Sequence, residues 1–481
     1  MTDTRTFRPL SKATWGIYLL FVAIRVFVAF QPGYIHPDEY FQNAEITAGK
    51  LFNLSVNTPW EYLPQNPCRS ILAPAITTGI PYAILKATLG THPGKDFFLD
   101  RFRDSGIVLG VSINIVLDSL FFGKLTIVHA ATQQPIASWT EVLDPFAWRD
   151  LQFQGTLTVT FLNNLLYNLD KDNLAQHGLH PRYLHLLVNF PVLFANLAYV
   201  GVKAIGEKIF AQKQCVSQST LVTALAYSGI SGILLLSVMP HQEARFLTPL
   251  LIPLVLTTAS RVSKLGRKFW PLWLVYNGVL AIVFGTFHQA GVTPAIAELQ
   301  TQALGITNCQ TIPLRSGSTS SHVGCDTNTS PKGIYHLNRN GNETYITHTI
   351  YYKTYMPPYH LYGLNEQDAE NHGIKLEISD WRTKDREELI KALSEIPAAK
   401  DPNHRLLIEE AFVENPNKAL FFESAPGIYW RNVLIAPSTV DLSDQPFYNT
   451  RLSFTPHANL DHMDVILQRP FSSFSMNIYY I

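Results

Sequence analysis

Charge is in short supply in this chain: 15% of its 481 residues are Asp, Glu, Lys or Arg, against roughly a quarter in an ordinary soluble domain. Neither sign prevails, since 37 Lys and Arg stand against 37 Asp and Glu. That balance excludes the basic footprint of a nucleic-acid binder. Four cysteines are too few for a disulfide scaffold. No repeat of fixed period and no low-complexity tract is present. Apolar residues are plentiful, at 47%, and the mean hydropathy is +0.06. That value is high for a cytosolic enzyme and mild for a pure membrane bundle. With a length that allows two or three domains, it predicts a mixture of membrane and water-soluble parts.

The apolar residues fall in long runs at 14–30, 71–90, 105–128, 183–202, 220–239, 246–260 and 269–287. A bilayer core needs about 20 apolar residues in a helix, so most of these runs read as spans. No small-x-small cleavage site follows the first run, which reads as an uncleaved anchor. Asp118 and Lys124 lie in the third run and Lys86 in the second, where such residues face a bundle interior or snorkel to an interface.

Segments 1–13, 92–104, 203–219 and 261–268 hold thirteen Lys and Arg in 51 residues, whereas 31–70, 129–182 and 240–245 hold six in 100. The excess of positive charge in cytosolic loops then places the N-terminus in the cytosol and residue 31 in the lumen. Everything past about residue 289 falls on the lumenal side. The sequons at Asn53, Asn328 and Asn342 all lie there, as glycosylation acceptors must. Cys309 and Cys325 share that compartment and either pair or remain thiols. Residues 1–289 read as a multi-span membrane domain with lumenal loops. Residues 290–481 read as a lumenal α+β or β-rich domain, with strand-like ETYITHTIYYKTY and GIYWRNVLI around a helix at 385–396.

Four polar clusters stand at the predicted lumenal ends of the runs. YIHPDEYFQNAE places His36, Asp38, Glu39 and Glu45 after the first run. In a helix the adjacent Asp38 and Glu39 point about 100° apart, so one can face a site while the other braces a loop. They read either as a general base with a supporting acid or as acids favoured at a helix N-terminus. HGLHPRYLH gathers His177, His180, Arg182 and His185. These histidines match no standard metal-ligand spacing, and the segment reads as an interfacial anchor or as a site for a lipid-linked phosphate. PHQEARFLTP carries His241, Glu243 and Arg245 in a tight turn at membrane depth, where ionisable groups are functional candidates. HQAG, from His288, follows the last run.

HPDEYFQNAE, LNNLLYN, HGLHPRYLHLLVN, HQEARFLTPL and HQAG together resemble the GT-C glycosyltransferases that mannosylate glycosylphosphatidylinositol (GPI) precursors in the endoplasmic reticulum. The resemblance covers the membrane part well and the C-terminal domain loosely. It implies a polytopic α-helical membrane protein of GT-C type and an inverting enzyme with lumenal catalytic loops. The implied reaction transfers mannose from dolichyl-phosphate-mannose to the third mannose of a GPI precursor in α1,2 linkage, with no metal or other cofactor. Asp38 is then the base, with Glu39 its neighbour or substitute. Arg182 and Arg245 would stabilise the departing phosphate, with His36, His177, His180, His241 and Glu243 as further substrate contacts. In one place the sequence departs from the family. Members carry several more spans between the first lumenal loop and LNNLLYN, an interval that here holds only the 105–128 run. The alternatives are a sibling enzyme that adds the third GPI mannose or extends a lipid-linked oligosaccharide, a transporter, and an inactive binding or assembly subunit.

Overall fold

The computed structural model describes residues 12–89, 111–136, 141, 147–175, 178–210, 220–262, 265, 269–304, 306–313, 321–327, 343–365, 373–396, 402–414 and 419–481. His177, Asn328 and Asn342 lie outside the described residues. The chain divides into two compact units. A helical unit comprises Trp60–Ile71 and Gly110–Leu280, and a sheet unit comprises Met1–Pro59, Leu72–Leu109 and Ala281–Ile481.

In the helical unit, the 105–128 run is not one helix. The helix Val111–Phe121 stops at a turn in which Gly123 takes φ +66°, a backbone conformation glycine adopts at no steric cost. Strand β1, Leu125–His129, then pairs antiparallel with β2, Leu151–Gly155. The expected span is thus corrected to a short helix and a hairpin strand, because β-branched Thr126, Ile127 and Val128 suit a strand as well as a helix. Asp118 is 1% exposed. Its carboxylate accepts from Ser70 Oγ and Ile71 N–H, both at 2.9 Å, and from Thr160 Oγ at 2.6 Å. It ties three segments together.

LNNLLYN lies in the helix Thr160–Leu169. The 183–202 run bends at Ala195 (φ +49°) between the helices Phe190–Phe194 and Asn196–Phe210. These pack with Thr220–Val238 and Leu251–Val262 around Phe190, Phe194, Ile233, Leu247 and Leu254. One described helix, Phe269–Phe287, is long and apolar enough to cross a bilayer, and none of its residues is buried within the protein. Shorter apolar helices lie at Tyr18–Ala29, His185–Phe194, Thr223–Val238 and Ala244–Ala259.

The sheet unit is organised around one buried strand. Strands β3 (Ile306–Pro313), β4 (Ser321–Thr327), β5 (Thr344–Tyr352), β6 (Ile374–Trp381), β7 (Ala419–Ala425), β8 (Ile428–Pro437), β9 (Arg451–Phe454) and β10 (Met476–Tyr480) form a mixed sheet. β8 runs parallel to β5 along one edge. Along the other it pairs antiparallel with β7 near its start and β10 near its end. Alternate residues of β8 enter two cores, which is why its VLIAP run shows no polar period. Val433 and Ile435 pack with the helix Val292–Leu304, Tyr34 and Met476. Leu434 and Ala436 pack with Leu389 and Leu393 of the helix Arg386–Glu395. The register places Cys309 directly opposite Cys325.

Candidate active-site residues in two units

The HPDE turn is held from behind by backbone. Gly33 N–H donates to Gly285 O at 2.8 Å and Tyr34 N–H to His288 O at 3.0 Å. A Cβ on Gly33 would lie 2.2 Å from the Phe284 carbonyl oxygen, so only glycine permits this approach. Pro37 then starts a helical turn whose Tyr40 and Phe41 N–H groups reach its carbonyl, both at 3.1 Å. His36 Nδ1 accepts from Asp38 N–H at 3.2 Å. The same Nδ1 lies 3.7 Å from Asp38 Oδ2, a contact within the turn.

The two acids of the turn differ. Glu39 Oε2 accepts the Ile35 N–H at 3.2 Å and closes the turn, the reach-back seen in capping boxes. Asp38 is half-buried, 29% exposed at its side chain. The π-helical stretch Tyr40–Ala44 follows, and others occur at His185–Asn189, after Arg182, and at Val283–Phe287, before His288. Such wide turns are frequent at functional sites.

Glu45, expected with the other acids at the lumenal end of the first run, is instead fully buried. Its carboxylate accepts the N–H groups of Asn57 (2.8 Å), Tyr359 (3.1 Å) and His360 (3.3 Å), and bonds to His360 Nδ1. The sequence carries no local sign of His360 as its partner, which lies 315 residues away. HQAG is likewise tied down. His288 pairs with Ala458 in a parallel bridge, and Gly291 N–H donates to His457 Nδ1 at 3.1 Å. Burial pushes the His288 ring down to about 4 and the His457 ring down to about 3, so both are neutral.

In the helical unit, HGLHPRYLH and PHQEARF come together. Gln242, 2% exposed, organises both. Its amide nitrogen donates to the carbonyls of Arg182, Ser237 and Met239, and its oxygen accepts His185 N–H at 2.8 Å. His180 N–H donates to Pro240 O at 2.8 Å, and His180 Nδ1 accepts Gln242 N–H at 3.2 Å. Glu243 bridges His241, at 2.8 Å, and Arg245. Exposed Arg182 donates to the Val238 carbonyl. Leu186 and Leu250, beside this cluster in sequence, help line an apolar cavity of about 260 Å³ with Phe190, Ile233 and Leu254. Asn53, the one sequon within the described residues, is exposed and takes φ +54° at the end of the helix Glu45–Phe52, a conformation asparagine tolerates.

The profile of the Alg9-like mannosyltransferase family matches residues 16–101 and 91–313. The chain belongs to that family. It is therefore a glycosyltransferase of the mannosyltransferase class. A protein of Emericella nidulans called GPI mannosyltransferase 4 is 26% identical, over 93% of this chain and 93% of its own length. One of the same name from Aspergillus oryzae is 25% identical over 93% of this chain and 94% of its own. The human GPI alpha-1,2-mannosyltransferase 4 is 25% identical over 56% and 68%. The alignment with the Emericella protein runs over 548 positions, of which about one hundred carry no residue of this chain. No solved structure matches.

Proposed function

We infer that this protein is an α1,2-mannosyltransferase of GPI-anchor biosynthesis. It moves mannose from dolichyl-phosphate-mannose to the third mannose of the glycolipid precursor, as a multi-pass protein of the endoplasmic reticulum membrane with lumenal catalytic loops. The observation that carries this reading is the likeness to fungal proteins of that name along nearly the whole of both chains. In the sheet unit, Asp38 takes the proton as the acceptor hydroxyl attacks the anomeric carbon from the face opposite phosphate. Inversion of the β-linked donor yields the α bond. Glu39, engaged with the Ile35 N–H, braces the turn. In the helical unit, Arg182 and Arg245 are cations for the donor phosphate, with His180 and His241 as further donors. The departing group is already an anion and needs charge stabilisation more than a proton. The apolar cavity beside them suits part of an isoprenoid chain. No metal and no nucleotide sugar enters this scheme.

The test is transfer by the purified chain in lipid. Dolichyl-phosphate-mannose and a three-mannose GPI should give a four-mannose product that an α1,2-mannosidase trims back. A product with any other linkage overturns the reading. The roughly one hundred alignment positions without a residue here favour a second one, a binding or assembly subunit without turnover. Retained glycolipid binding with no transfer, and transfer regained on inserting the relative's extra segment, would select it.

A further inference from the structure

One aromatic ring brings the turn after β6 and the segment near 460 to the HPDE turn. Tyr355 meets Tyr34 edge-on at 5.6 Å between ring centres and His36 at 6.3 Å, and its hydroxyl lies 3.3 Å from His288 Nε2. The Arg382 guanidinium lies over the same ring, 4.6 Å from its centre. Arg382 follows β6, where its N–H donates to Asp380 Oδ1 at 3.0 Å in an Asx-type turn. Its Nη2 donates to Asp461 Oδ2 at 3.1 Å. Asp461 is set in turn by Asn459, whose Oδ1 accepts the Asp461 N–H at 3.0 Å and the Gln289 amide at 3.2 Å. The Asn459 amide donates to Lys353 O at 2.7 Å.

We propose that the Arg382–Asp461 pair is a hydroxyl-binding subsite for the acceptor glycan, presented beside the turn that carries Asp38. The proposal rests on the reading of Asp38 as the base of a mannosyl transfer. An exposed ion pair contributes little to stability, yet both ends of this one are oriented by backbone turns. The pair is net neutral, and an incoming phosphate at Arg382 would meet the Asp461 carboxylate. Adjacent sugar hydroxyls need a donor beside an acceptor, which a guanidinium fork next to a carboxylate supplies. Tyr355 holds the guanidinium plane through its π face and consumes no N–H donor in doing so.

The experiment uses the full chain in lipid. Binding of a soluble three-mannose glycan is measured without donor, and acceptor and donor KM are measured separately with dolichyl-phosphate-mannose. Arg382→Ala and Asp461→Ala are expected to weaken glycan binding and raise acceptor KM roughly 10- to 100-fold, the loss of one or two charge-assisted hydrogen bonds, with donor KM at its wild-type value. Arg382→Lys recovers the charge but not the fork and regains only part. Should the alanine variants unfold, Arg382→Lys and Asp461→Asn carry the same test at an unchanged melting temperature. Equal glycan binding by wild type and variants, no binding by wild type, or a rise in donor KM instead overturns the proposal. Normal turnover by Asp38→Asn would remove the base assignment and leave the glycan-binding result to judge the subsite.

Discussion

The helix Phe269–Phe287 and strand β8 are built from similar residues and place them in opposite surroundings. Leu272, Val275 and Val279 are 60%, 64% and 53% exposed, whereas Val433, Leu434 and Ile435 are each 0% exposed. Burying such a side chain is worth about 1.5–3 kcal/mol in water, a gain that Leu272, Val275 and Val279 do not make within the protein. The strand hides its apolar run between two layers of helix, while under the proposed function the exposed side of the helix faces lipid. In the sheet unit the carboxylate of Glu45 is sealed in and bonded to His360, while in the helical unit Arg182 and Arg245 stay at least partly exposed.

The largest effect expected is on turnover. Asp38→Asn should reduce transfer about 10²- to 10⁴-fold, the usual contribution of a general base, without lowering the melting temperature. Glu39→Gln, which removes the charge but keeps an oxygen to accept the Ile35 N–H, should cost far less. Equal losses from the two substitutions, read in the transfer assay, would erase the division of labour within the turn.

Next comes the sealed pair. Glu45→Ala strands the His360 ring and three N–H groups, and should destabilise the sheet unit by about 3–5 kcal/mol. Breaking the exposed Lys384–Glu388 pair should cost about 0.5 kcal/mol or less. Thermal unfolding of the two variants in parallel measures the contrast.

The apolar contrast can be cut directly. Leu434→Ala should cost about 2–5 kcal/mol. Leu272→Ala should leave stability in lipid within about 0.5 kcal/mol, and a comparable loss at both positions would show that the helix packs against protein. Acid gives the smallest effect. His288 and His457 are held neutral in the fold, near 4 and 3, below the ordinary value of about 6.5. The unfolded chain takes up protons that the fold refuses, so stability is full above about pH 6.5 and falls as pH drops towards those values. At pH 5 each histidine should cost about 2 kcal/mol. His457→Gln should flatten the fall in melting temperature between pH 7 and 5.

Much of the organisation was legible in one dimension. The strands around 344–352 and 428–437 and the helix at 386–395 follow from β-branched and aromatic runs and from one amphipathic segment. The motif HPDE announced its acids, and HGLHPRYLH and PHQEARF announced the cluster that Gln242 assembles. The 105–128 run misled because hydropathy measures length and composition, and neither marks the turn at Gly123. Glu45 misled because a carboxylate near a motif looks the same in sequence whether it meets water or three buried N–H groups.

Apolar content and spacing by themselves determined that this chain holds helices of lipid-compatible composition and a separate sheet, since both periods are local properties of the backbone. How deeply Asp38 and Glu45 are buried was decided by the tertiary structure. So was the pairing of Glu45 with a histidine 315 residues away, and the setting of Arg382 over Tyr355 beside His36. The physical reason is range. Side-chain periodicity acts over a few residues, whereas the partners that desolvate or orient a charge are chosen by packing between distant segments.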